Sequence, residues 1–458
     1  MATTVLETCG IPPPPGAAAE LTVPLTFLDM FWLHFHPIRQ LIFYDHPCSE
    51  AEFSNTIVPN LKHSLSLTLK HYLPVAGNLL YPLDTEKSQP VIRYVSGDTA
   101  PLTVAVSSRD FNDLVGSHAR ESDQFYDFLP SMPPFTEDEN YKIAPLIAMQ
   151  ATLFPGRGIC IGLSNHHCLG DARSIALFMW AWAEINRSGG DEEQFLLRNS
   201  ASLPLIFDRS VFGDRSSVNE KYWNVLRNKP FTPSPFPLPT KMVRAAFTLH
   251  QSDIKRLKNM VLSNNPDLGY ISSFVVTAAL TWSSLVKSTA AAGEEFDRNR
   301  TEIFFFPADG RGRPNAITDQ PVPVNYFGNC LGGGAVMMEH TKVEFVAAAE
   351  AITDQIKTQV NNKENFLKGS ENWVSDTPMD FAEMGTLGVS GSPKFDLLNA
   401  DFGWGKGRRL EVLSTDDEKY SMSLCNSSDS DGGLVVGISL PREIMEAFAA
   451  IFADGLKV

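Results

Sequence analysis

Apolar residues recur along this chain at two spacings, and the spacing changes segment by segment. Ile57, Leu61, Leu65 and Leu69 stand four apart, which predicts one buried helical stripe. Ser49-Glu50-Ala51-Glu52 before it has the form of a capping box. Pro59 should kink that helix or sit near its start, and Pro74 should end it. Val91–Tyr94, Leu102–Val106, Leu146–Leu153 and Gly158–His167 read as strands. A tight Gly170-Asp171 turn follows the last of these. The next helix, Ala172–Asn186, then carries Ile175, Phe178, Met179 and Trp182 on its apolar face. Further on, the pattern predicts strands at Ala245–Leu249, Glu302–Phe306 and Leu434–Leu440. Helices are expected at Ser252–Leu262, Ser272–Val286, Val343–Val360 and Pro441–Ala453, the last ended by Gly455.

The pattern fails in two places. Gly10 to Gly16 is proline-rich and reads as a loose arm. After Gly189 periodicity weakens, and prolines cluster at Pro230, Pro233, Pro235, Pro237 and Pro239. We therefore expect three parts: an N-terminal domain over 1–190, a proline-rich crossover over 191–241, and a C-terminal domain over 242–458. A chain of 458 residues fits two or three domains. The fold class expected is α/β (α+β), in two halves.

Candidate chemistry concentrates at the end of the strand Gly158–His167. Ile159, Ile161, Leu163, Asn165 and His167 share one face, whereas Cys160, Gly162, Ser164 and His166 share the other. One of the two adjacent histidines can thus serve a given cavity. A neutral imidazole, ordinarily titrating near about 6.5, can take a proton from an alcohol at neutral pH. Asp171 opens the next helix, where it can cap backbone N–H groups or hold an arginine. The competing reading is a pair of hydrogen-bonded core histidines. A metal site lacks support, because the two histidines diverge and no third ligand cluster accompanies them. A second constellation, Asp401-Phe402-Gly403-Trp404-Gly405, reads locally as a turn whose carboxylate would pair with an arginine. Its Asp-Phe-Gly portion lacks the companion loops of a protein kinase.

Composition narrows the partners. Asp and Glu number 53 against 38 Lys and Arg, a formal charge of −15, which argues against nucleic acid and against an anionic membrane surface. The six cysteines are scattered without a CxxC pair and are expected to be reduced thiols of a cytoplasmic protein. No secretory signal and no membrane span is expected.

Together the motifs resemble one family. His167-Cys168-Leu169-Gly170-Asp171 is similar to the HxxxD motif of the plant BAHD acyltransferases, and Asp401 to Gly405 to their DFGWG motif. Leu65–Leu69 with Tyr72–Gly77 resembles a further family segment. Asn325-Tyr326-Phe327-Gly328-Asn329-Cys330 resembles the YFGNC signature of anthocyanin and flavonoid glycoside acyltransferases. Ser390-Gly391-Ser392-Pro393-Lys394, Leu21–Asp29 and Phe43-Tyr44-Asp45 resemble the same branch.

The resemblance implies two chloramphenicol-acetyltransferase-like domains with a channel at their interface, and an acyl-CoA-dependent O-acyltransferase. His167 would be the base, with Asp171 orienting or structural. Asp401, with Gly403, Trp404 and Gly405, would form a structural loop, and Arg311 is the expected partner of Asp401. Tyr326, Gly328 and Asn329 belong to the branch motif. Coenzyme A contacts are expected at Lys258, Ser272, Ser273, Ser390 and Gly391, where a basic helix face and a helix N-terminus favour phosphate. Arg173 is the candidate reader of a malonyl carboxylate. In some malonyl-selective relatives that arginine lies further along, where this chain has Ile175. The substrates implied are malonyl-CoA and an anthocyanin or flavonoid glucoside. No permanently bound cofactor and no metal are expected, and relatives imply a monomer. The alternatives are a hydroxycinnamoyl-CoA donor and a non-catalytic binding protein on the same fold. Peptide-synthetase condensation domains share an HHxxxD core, but usually follow its Asp with Gly, where this chain has Ala172.

Overall fold

The computed structural model describes residues 2–199, 203–231, 238–293, 300–318, 320–376, 385–416, 420–428 and 432–457. Three sheets and the helices packed on them carry the architecture. The first sheet runs Thr3–Ile11, Ala100–Ser107, Ile147–Phe154, Gly158–Asn165, Ile38–Tyr44, Arg409–Val412. The second runs Leu331–Glu339, Thr301–Asp309, Gly385–Ser390, Ser421–Asn426, Leu434–Leu440, Val243–Leu249, Arg120–Glu121. A third, smaller sheet holds Glu20–Pro24, Val91–Val95, Asn78–Pro82, Tyr141–Pro145 and Thr136–Glu137.

Strand Gly158–Asn165 lies inside the first sheet and is buried along its whole length. Ile159, Ile161 and Leu163 enter the main core, while Cys160 enters a smaller cluster with Phe43, Phe111, Phe125, Phe128 and Phe154. Period-two alternation thus places two apolar faces in two different cores. The helix Ala172–Arg187 packs on helix Val58–His71. At that contact the Trp182 indole N–H donates to the Leu61 carbonyl at 3.1 Å.

Two strands cross between the halves. Arg409–Val412 pairs with Ile38–Tyr44 in the first sheet, and Arg120–Glu121 pairs with Val243–Leu249 in the second. The exchange places Arg120 directly opposite Arg244, a repulsive cross-strand pair. Glu411 answers it: one carboxylate oxygen accepts from Arg120 at 3.0 Å and the other from Arg244 at 3.1 Å. Arg244 also pairs with Asp416, which accepts from the Tyr126 hydroxyl at 3.0 Å. All four charged side chains are buried.

Several expectations need correction. Gly10 and Ile11 are not a loose arm but the end of strand Thr3–Ile11, opposite Pro101 and Ala100. Backbone pairing overrides the local proline content there. The strand through the histidines stops at Asn165. Only half of the capping box forms: Ser49 accepts from the Glu52 N–H. Pro59 sits in the first turn of helix Val58–His71, behind a π turn over Phe53–Ile57. That position suits a residue that cannot donate its N–H. The helix expected over Val343–Val360 begins at Phe345 and widens to a π turn at Ile356–Val360. The stretch expected to be irregular contains helices Glu192–Arg198 and Ser216–Leu226. Pro233, Pro235 and Pro237 lie outside the described residues. Among the described residues no helix is long and apolar enough to cross a membrane.

Candidate active site

Past Asn165 the chain leaves the sheet in one tight step. His166 stays extended and its Nδ1 accepts from the Cys168 N–H at 3.2 Å, capping a short 3-10 turn over His167–Leu169. That use makes His166 structural. Burial first, then the neighbouring His167, pushes its pKa down to about 4. His167 is half-buried. Burial is also the largest influence on it and lowers its pKa, so the neutral form is favoured. Among the described residues its Nδ1 meets no hydrogen-bond partner. One face of the ring lies against the Trp32 indole, with centroids 3.9 Å apart and planes 11° from parallel.

Asp171 does both things its position allowed. One oxygen accepts from the Ser174 N–H at 3.1 Å, capping helix Ala172–Arg187. The carboxylate also grips Arg311, with bonds of 2.8 and 3.2 Å. The expected partnership of Arg311 with Asp401 is therefore wrong. Arg311 is 5 % exposed and already committed to Asp171, Asp309 and the Gly328 carbonyl. Burial raises the Asp171 carboxyl, but the guanidinium and the Cys330 and Ser174 N–H groups outweigh it and hold its pKa down.

The Tyr326–Asn329 turn wraps this pair. Two guanidinium groups lie over the Tyr326 ring, Arg209 at 4.9 Å and Arg311 at 5.4 Å from its centroid. Gly328 has φ +145, and a Cβ there would stand 2.5 Å from an Arg209 nitrogen, so a side chain is excluded. Asn329 is fully buried. Its backbone and side-chain nitrogens both donate to Asp29 at 3.1 Å, and the side chain also donates to the His167 carbonyl at 3.0 Å.

Asp401 turns inward on its own loop. One oxygen accepts from the N–H of Gly403 at 2.8 Å and of Gly405 at 2.9 Å. Those residues adopt φ +96 and +86, which glycine tolerates. Trp404 packs on Phe402, Tyr44 and His46. The Phe402 carbonyl accepts from Asn186 at 2.7 Å, so the loop is tied to the helix that follows the histidines.

The remaining candidates are dispersed. Lys258 lies over the ring of Tyr270, 6.0 Å from its centroid, and Tyr270 stands just before Ser272. The basic side chain therefore adjoins a helix N-terminus. Ser272 itself is spent as the cap, accepting from Val275, and Ser273 opens the helix. Ser390 ends strand Gly385–Ser390, and Gly391 turns the chain at φ +83. Arg173 donates to Asp309 and to the Val324 carbonyl, both at 2.9 Å, and lies 5.6 Å from the Phe395 ring. Its buried Nε has no partner among the described residues. No group of three or more possible metal ligands occurs among the described residues.

Sequence reasoning missed Trp32, Asp29 and Arg209 as parts of this assembly. Asp29 caps its own short helix through Thr26 and meets Arg209 at 3.2 Å. An unbroken aromatic-rich run, Phe31 to Phe35, was the one local signal for Trp32, and it does not distinguish a core residue from a neighbour of the base.

Residues 4–454 match the family model described as the transferase family. The chain is 54 % identical over 455 residues to malonyl-coenzyme:anthocyanin 5-O-glucoside-6'''-O-malonyltransferase of Salvia splendens, covering 98 % of this chain and 95 % of that protein. It is 42 % identical over 460 residues to phenolic glucoside malonyltransferase 1 of Nicotiana tabacum, covering 99 % of each. Vinorine synthase has the same fold, with a TM-score of 0.68 at 18 % identity over 97 % of this chain and 96 % of that one. The chain belongs to this transferase family, the plant BAHD acyltransferases, and is an acyltransferase with their two-domain chloramphenicol-acetyltransferase-like fold.

Proposed function

We propose that the protein moves the malonyl group of malonyl-CoA onto a sugar hydroxyl of an anthocyanin or flavonoid glucoside, with His167 as general base. The observation that carries this reading is the near-full-length likeness to a glucoside malonyltransferase. Site geometry supports it: one imidazole is kept neutral while the nearby carboxylate is turned away onto Arg311. His167 takes the proton of the sugar hydroxyl as its oxygen attacks the thioester carbonyl. The resulting tetrahedral intermediate breaks its C–S bond, and the thiolate recovers the proton from His167. Ester and free coenzyme A leave, and no covalent acyl-enzyme is needed. Cys168 is buried and its thiol pKa is pushed well up by burial, which suits a packing residue.

Lys258, Ser272, Ser273, Ser390 and Gly391 are proposed contacts for coenzyme A. Arg173 is the proposed reader of the malonyl carboxylate through its Nε, which has no partner among the described residues. A hydroxycinnamoyl donor is the second reading, favoured by the prior commitment of the Arg173 guanidinium to Asp309 and Val324. We divide the chain at 1–190, 191–241 and 242–458, with one strand exchanged each way. The protein is taken to work as a cytoplasmic monomer on small molecules, without resident cofactor.

The test offers purified protein anthocyanin and flavonol glucosides with equimolar malonyl-, acetyl-, p-coumaroyl- and caffeoyl-CoA, with His167→Ala as control. Malonyl esters formed by the wild type alone support the reading. Hydroxycinnamoyl esters keep the mechanism and discard the malonyl assignment. Equal product from the variant sinks the base.

A further inference from the structure

General bases of this type are usually held by a second group that bonds the far ring nitrogen. Here no carboxylate takes that place. Asp171 is bound to Arg311, and Nδ1 of His167 has no partner among the described residues. Its own carbonyl and the Asn329 side chain are the hydrogen-bonding groups that act on the ring. What does hold the ring is an indole, stacked face to face at 3.9 Å.

We infer that Trp32 is the positioning residue of His167, fixing the plane of its imidazole by stacking in place of a hydrogen-bonded carboxylate. The basic nitrogen's lone pair lies in the ring plane. Fixing that plane fixes the direction along which the hydroxyl proton is taken. Trp32 can do this because it is itself held by its neighbours. Phe31 and Phe35 meet it edge-on, with centroids 5.0 and 4.8 Å away. Trp32 stands just past Phe31, the C-cap of helix Phe27–Met30, with its N–H bonded to the Asp29 carbonyl. Asp29 holds Asn329, and Asn329 holds the His167 carbonyl. One buried bridge therefore sets the register between an indole and an imidazole far apart in the sequence. Asn329 locates the backbone, and Trp32 orients the ring.

The inference rests on His167 being the base, but its structural half can be read without substrate. In wild-type protein with 13C-labelled histidine, the His167 Hε1 resonance is assigned by its loss in His167→Ala. It should be displaced upfield by the indole ring current, and the displacement should vanish in Trp32→Leu. A resonance at the ordinary position overturns the stack even if the substrate assignment is wrong.

The functional half uses Trp32→Phe and Trp32→Leu with whichever acyl-CoA and glucoside the wild type turns over. Trp32→Leu should lose between about 10-fold and 10²-fold in kcat, with KM for acyl-CoA within roughly twofold. Trp32→Phe should recover most of it. Removing the indole also admits water, so the acid limb of kcat/KM should move to higher pH. The charges facing His167 that stay in place are His166, His36 and Asp171. A loss confined to the acceptor KM, with the pH limb unmoved, overturns the inference, because that is how a mere acceptor wall behaves. If Trp32→Leu does not fold, the resonance of the wild type and the pH limb of Trp32→Phe decide it.

Discussion

Asp171 lies four residues beyond His167, yet its carboxylate grips Arg311 at 2.8 and 3.2 Å. The most recognisable acidic residue of the motif therefore builds the wall behind the base. It joins the start of one helix to the Asp309–Arg311 and Gly328–Cys330 segments of the other half.

Removing that charge should cost folding more than chemistry. Asp171→Asn leaves a buried guanidinium with Asp309 as its remaining carboxylate. We expect a loss of about 3 kcal/mol, the low end for a broken buried pair. The urea midpoint checks it, with the slope unchanged. The folded carboxyl titrates below its ordinary value. Its stabilisation is therefore complete above the unfolded pKa and drains away as pH falls through the folded one. The asparagine variant should show a correspondingly flatter acid decline. An unchanged midpoint would contradict this account.

His167→Ala should lower kcat/KM by about 10²–10⁴. In the wild type, burial lowers the imidazole pKa. The base therefore stays unprotonated to lower pH than a free histidine. The rate should remain flat as pH drops through about 6.5 and decline only below it. A pH profile with its acid midpoint above that value would show that His167 is not the titrating group.

Arg173 can be tested by donor choice. Arg173→Leu should raise KM for malonyl-CoA by about 10-fold to 10²-fold, the worth of a charged hydrogen bond, and leave acetyl-CoA little affected. Equal effects on both donors would assign Arg173 to the wall with Asp309 alone.

The exchanged strands supply a stability prediction. Arg244→Met removes the cation between Glu411 and Asp416. Both carboxylates are buried, so the cost should be about 3–5 kcal/mol. Glu411→Gln should be comparably damaging, because it leaves Arg120 facing Arg244 across the strands. Urea denaturation of each variant measures this, and a loss under about 1 kcal/mol would mean that the cluster behaves as a surface pair.

Local pattern was a good guide wherever one face of an element is apolar. Strand Leu434–Leu440 came out as periodicity indicated, whereas the helix that follows runs on through Gly455, expected to stop it, to a C-cap at Leu456. Helix Ala172–Arg187 also followed its pattern, because Asp171 caps it and its buried stripe repeats at helical spacing. The strand Thr3–Ile11 was hidden, since most of its residues are exposed, Val5 and Leu6 among them, so no apolar face marks it, and its pairing partner lies near residue 100.

By itself, the sequence determined the elements with a clear apolar stripe, the two-domain α/β class and the family. These depend on spacing, caps and short motifs, and such signals act over a few residues. Tertiary structure alone decided which carboxylate meets which cation, so that Arg311 serves Asp171 while Asp401 closes its own loop. It alone set the indole of Trp32 on the imidazole of His167. Pairings of that kind depend on where distant backbones converge. Several acids stand within reach of any given arginine on paper, and only packing selects one.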